Sequence, residues 1–152
     1  MFSICQWLQH TPISVSIRES IWVFPILDAV HCAGIFLVAG TIVVVDLRLL
    51  GFGMRRESVS SVIAQVLPWT FFGFAFMAVT GSLLAWAEPA KLYHSVSFRW
   101  KLLFLALAGC NALLYHYTTL TPARARLVGA VSIVCWIGVI AAGRAIGYEL
   151  SR

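Results

Sequence analysis

The stretch IWVFPILDAVHCAGIFLVAGTIVVVDLRLLG, residues 21–51, decides how the rest of the chain is read. It is apolar over more than the roughly 20 residues that a helix needs to cross a bilayer. Yet it carries Asp28 and His31 near one end and Asp46 and Arg48 near the other. Ionisable groups at membrane depth are expensive, so each of them marks a place where the chain does something besides span. Asp28 and Asp46 are 18 residues apart, about five whole helical turns, and so share one face. His31 lies about 60° from that face. Such a stripe belongs in a bundle interior or along a cavity.

The composition agrees with a membrane reading. Of 152 residues, 61% are hydrophobic and 11% charged, against about half and a quarter in a soluble domain. The formal charge of +5 comes mainly from arginine. These residues sit at the ends of apolar runs, where membrane topology places them, and not in a nucleic-acid-binding patch. Cys5, Cys32, Cys110 and Cys135 show no CxxC and no zinc spacing, and read as small apolar residues. Residues 1–20 lack the basic start and cleavage site of a signal peptide. Within them, residues 2–10 form a short amphipathic helix lying at the interface, ended by Thr11-Pro12.

Four spans follow, at about 22–50, 62–87, 98–120 and 127–150, joined by short loops in a single transmembrane domain covering 1–152. The expected fold is all-α: an integral membrane, antiparallel four-helix bundle with an N-terminal interfacial helix. Small-xxx-small pairs occur on all four spans: Ala29/Ala33, Gly81/Ala85, Ala108/Ala112 and Gly143/Gly147. That spacing lets helices approach closely. Thr121-Pro122 is expected to stop the third span. Arg48, Arg55, Arg56, Arg124 and Arg126 gather at one end, against Arg18, Lys91, Arg99, Lys101 and Arg152 at the other. The near balance leans towards cytoplasmic first and third loops and periplasmic termini.

A rise of 1.5 Å per residue sorts the polar residues into two layers. Asp28, His31, Lys101 and Arg144 share the N-terminal side. They suit a buried ion pair that fixes register, a cofactor or ligand site, or a proton-handling site. Asp46, Arg48 and His116 lie towards the other side with Asn111 between, and read as interface anchoring and loop bracing. Histidines on transmembrane bundles often ligate haem. His31 and His116 differ by roughly 13 Å in depth, too far for one haem. His31 can pair with His94 where the long second loop dips inward, and His31 can also serve alone as the iron ligand. Covalent haem is excluded because there is no CxxCH.

The motifs DAVHCAG (28–34), DLRLLG (46–51), VTGSLL (79–84), FRWK (98–101), NALLYH (111–116) and GVIAAGR (138–144), in this order, cover nearly the whole chain. In them the sequence resembles a family of uncharacterised four-helix proteins of the bacterial inner membrane. The resemblance implies fold and compartment but no activity. A looser likeness is to small membrane proteins related to copper-resistance permeases and to a protoporphyrinogen-oxidising family. It rests on a first-helix histidine followed by glycines. That histidine is an axial haem ligand in the haem-binding members, which implies haem b at His31.

The leading expectation is a small subunit of a larger membrane complex or homo-oligomer, embedded in the lipid bilayer. With haem b it would pass electrons between a quinone and a partner. A structural or assembly subunit without cofactor is the first alternative. A small transporter, a proton path, or an enzyme on a lipid-soluble substrate using His31 and Asp28 as proton-transfer groups are the others. No nucleophile, base and orienting group fall together in the sequence, which argues against catalysis.

Overall fold

A computed structural model describes residues 2–53, 56–118 and 121–150. Its elements are α1 (Phe2–Gln9), α2 (Pro12–Glu19), α3 (Val23–Leu50), α4 (Val59–Ala87), α5 (Pro89–His94), α6 (Val96–Tyr117) and α7 (Pro122–Leu150). Helices α3, α4, α6 and α7 are each long and apolar enough to cross a membrane. The protein is all-α and multi-pass.

The sequence dictates where each span begins. The Ser58 hydroxyl accepts the Ser61 N–H at 3.0 Å and starts α4 three residues before the expected point. The Ser95 hydroxyl does the same for Phe98 and starts α6. Both satisfy first-turn amides that have no partner within the helix. Thr121-Pro122 does not stop the third span, which ends at Tyr117. Pro122 instead opens α7, where its missing N–H is no loss and its φ is already helical. The expected last residues of that span, 119–120, and Arg55 and Arg152 lie outside the described residues. Span α3 ends at Gly51 (φ 88°). There the Gly51 and Phe52 amides bond back to the carbonyls of Arg48 and Leu47, closing the last turn in a conformation glycine adopts without strain.

Two short helices were not expected. Thr11-Pro12 ends α1 but also begins α2, because the Thr11 side chain accepts the Ser14 N–H. Helix α2 then seals the end of α4. The buried Ser14 hydroxyl donates to the Ala87 carbonyl at 3.1 Å, and Arg18 reaches the same oxygen at 3.4 Å. Trp86 Nε1 donates to Thr11 at 3.0 Å. Helix α1 packs on α5, so residues 89–94 form a surface turn of helix and not a loop dipping inward.

The main span contacts are α3 with α4, α6 with α7, and α3 with α7. The order across the bundle is therefore α4–α3–α7–α6, and the sequence neighbours α4 and α6 barely touch. Burial follows this order: 39% and 22% of the central windows of α7 and α3 are buried, against 11% and 6% for α4 and α6. The core is Val38, Ala108, Cys135, Trp136 and Val139. Each contact is made where a side chain is missing. A Cβ on Gly73 would stand 2.6 Å from Val38, one on Gly129 3.1 Å from the Asp46 carbonyl, and one on Gly138 2.7 Å from the Phe104 ring. The expected small-residue pairs serve these contacts only in part. Ala29, Ala33 and Ala112 are exposed, Gly147 faces open space, and Ala108 enters the core.

Glu149, near the end of α7, ties the bundle at its N-terminal side. Its carboxylate accepts the hydroxyls of Ser95 and Ser97 at 2.5 Å each. A negative group there also complements the positive end of α6. Gly73→Ala is expected to destabilise the protein by about 1–3 kcal/mol through overpacking against Val38, lowering the thermal midpoint in detergent. Gly109→Ala, where nothing lies within 4 Å, should leave it unchanged or raise it; equal midpoints for both variants would contradict this packing.

Candidate functional site

His31 is buried between α3 and α4. Its Nδ1 lies 2.8 Å from the Thr80 hydroxyl oxygen. Thr80 donates its own proton to the Phe76 carbonyl at 2.9 Å, so Nδ1 is the donor of the pair. A neutral imidazole donates from one nitrogen and accepts at the other. The Nε2 lone pair of His31 is therefore available to a proton or a metal. Gly81 makes room for the ring, since a Cβ there would lie 3.0 Å from Cε1. Thus VTGSLL holds two residues that fix the imidazole: one orients it and the next admits it.

The electrostatic neighbourhood of His31 draws in the rest of the N-terminal layer. The charges of Lys101 and Asp28 both reach the His31 ring. Those of Asp28, Lys101 and Arg144 reach Cys32, a residue that its spacing alone gives no more than an apolar role. Lys101 lies over Gly143, its Nζ 3.8 Å from where a Cβ would stand. Among the described residues, Asp28 makes no ion pair with Lys101 or Arg144; the pair within bonding distance is Lys91 with Glu88 on the surface. Arg144 turns along its own helix onto the Tyr148 ring at 5.1 Å. Asp28, Cys32 and Arg144 are exposed on the single chain. His94 lies exposed on α5, edge-on to Tyr93.

The four residues of the second cluster divide between two environments. Arg48 braces the first loop, donating from Nε and Nη2 to the Glu57 carbonyl at 2.9 and 2.7 Å. His116 points outward, edge-on to Tyr117. Asp46 and Asn111 instead face α7 from its two sides. Asn111 donates to the Val128 carbonyl at 3.0 Å. Asp46 is 4% exposed, with Ser132 of α7 beside its carboxyl. Its second carboxyl oxygen is buried and has no partner among the described residues. Asp46 is therefore part of the α3–α7 interface, where the sequence reading placed it at the headgroups. Among the described residues no three His, Cys, Asp or Glu side chains converge as a metal site.

Residues 22–149 match a family of unknown function, DUF6644, and the chain belongs to that family. No curated protein and no solved structure matches it. The likeness to haem-binding membrane proteins thus gains nothing from these comparisons. A haem at His31 would rest on the residues alone. The free Nε2 and the Thr80-fixed ring suit a single axial ligand.

The His31 geometry has a direct spectroscopic signature. In 15N-labelled protein His31 is expected as the Nδ1–H tautomer. Thr80→Ser should preserve it, and Thr80→Val should release a mixture with Nε2–H. An unchanged tautomer in Thr80→Val would show that Thr80 does not set the ring.

Proposed function

We propose that this protein is a small membrane subunit whose N-terminal polar layer is completed by a neighbouring protein in the bilayer, either a second copy or another subunit. The observation that carries this reading is the exposed face of α3. It presents Asp28, Ala29, Cys32, Ala33, Phe36 and Gly40 on the single chain. Small residues let a second helix backbone come close. Asp28 stands about 7.5 Å down the helix from Val23, and a carboxylate facing lipid there is unfavourable, towards the roughly 3 kcal/mol of the bilayer centre. A partner helix packed on the small residues, with polar groups opposite Asp28, Cys32 and Arg144, removes this cost. The arginines of the first and third loops support periplasmic termini in a bacterial inner membrane.

A second reading adds a cofactor to the same subunit. His31 has the ring orientation and free Nε2 of a haem ligand whose other nitrogen is held by a hydrogen bond. Bound haem b would supply one-electron transfer; the chain would hold the iron through His31 and keep the imidazole fixed through Thr80 and Gly81.

The two readings separate experimentally. Extraction in mild detergent should yield a species heavier than one chain, and Ala33→Leu should weaken the association about tenfold or more, equivalent to 1.4 kcal/mol. A monomeric wild type with no co-purifying protein overturns the subunit reading. A Soret band in purified protein, lost in His31→Ala and kept in His94→Ala, supports haem; a colourless preparation from haem-sufficient cells removes it without affecting the first reading.

A further inference from the structure

At the end of the bundle opposite His31, a cavity of about 480 Å³ opens between the last turns of α3 and α6 and the first turns of α4 and α7. Its polar lining includes Arg48, Arg126 and Tyr115, and among the described residues no acidic side chain lines it. Leu49, Val59 and Ala125 supply apolar wall. Arg48 is held in place by its two bonds to the Glu57 carbonyl, which leave Nη1 uncommitted. The Glu57 carboxylate is turned away, accepting from Ser61 at 3.3 Å. Arg126 has no carboxylate partner among the described residues, and the Tyr115 hydroxyl has no protein partner there. Two guanidinium groups on different helices therefore share one cavity with their charge uncompensated, at the level where the spans leave the hydrocarbon. Guanidinium forks match phosphate oxygens geometrically as well as by charge.

We infer that this cavity binds a phosphate oxyanion between Arg48 and Arg126, with the Tyr115 hydroxyl as a third donor. The phosphate is carried by an anionic lipid headgroup of the adjacent leaflet or is free in solution. The apolar wall accommodates the glycerol and first methylenes of a lipid. The site is independent of the α3 face and of His31.

The test compares wild type with Arg126→Gln, Tyr115→Phe and Arg124→Gln. Arg124 lies on the same turn of α7 but does not line the cavity, so its loss controls for surface charge. Retained phosphatidylglycerol and phosphatidylcholine are counted by native mass spectrometry, and inorganic phosphate is titrated by thermal shift against chloride. Arg126→Gln should weaken binding about fivefold, as the loss of roughly 1 kcal/mol per arginine at a membrane surface implies. Tyr115→Phe should weaken the same ligand while leaving the net charge intact. Arg124→Gln should change binding less than about twofold. Loss confined to phosphatidylglycerol identifies a lipid-borne phosphate; loss confined to inorganic phosphate identifies a free one. Equal loss in Arg124→Gln and Arg126→Gln, or no loss with either probe in Arg126→Gln and Tyr115→Phe, overturns the proposal.

Discussion

In hydrocarbon there is no water to satisfy a polar group, so every donor and acceptor in a span must find its partner within the protein. Most of this chain obeys that constraint closely. Thr41 and Thr70 bond each other between α3 and α4 while each also holds a carbonyl of its own helix. Asn111 bonds a carbonyl of α7, and Ser14 and Arg18 cover the last carbonyl of α4. Against this background the departures are informative. The His31 Nε2, the second oxygen of Asp46 and the exposed charges of Asp28 and Arg144 are where the single chain leaves polar capacity unused.

These departures are spread along the membrane normal. His31, Asp28, Cys32, Lys101 and Arg144 occupy the N-terminal layer. Asp46 lies in the α3–α7 interface towards the other side, and the arginine-lined cavity opens beyond it. The middle of the bundle is the apolar cluster around Val38, Val139 and Trp136. Beside it, between α3 and α4, lies the Thr41–Thr70 pair.

The four spans were legible in the sequence because hydropathy over 20 or more residues is a strong signal, and the depth layers followed from the rise per residue. What covers each face was not legible. Asp28 and Asp46 share one side of α3 by angular arithmetic, yet α7 buries Asp46 and leaves Asp28 exposed. Which neighbour covers a stripe depends on how helices cross, and a single helix does not encode that. The glycines that matter, Gly73, Gly129 and Gly138, fall outside the small-xxx-small pairs because each works alone against one large side chain or backbone atom. Helices α2 and α5 were missed for their shortness, although Thr11-Pro12 carried a readable cap and Pro89 a readable start. Thr80 lies within the VTGSLL motif; its role on His31 depends on the hydroxyl's own acceptor, which only the three-dimensional structure shows.

The order α4–α3–α7–α6 bears on how the protein is made. Spans α3 and α4 emerge first and form one hairpin; α6 and α7 form a second. The contact that unites them, α3 with α7, joins the first span to the last. Until α7 is inserted, the side of α3 that carries Asp46 lacks its neighbour, and the first hairpin carries an acidic group in the bilayer. Completion of the chain is thus the event that neutralises this exposure. A chain halted after its third span would hold the Asp46 carboxyl without the α7 surface that buries it, at the cost of a polar group at membrane depth.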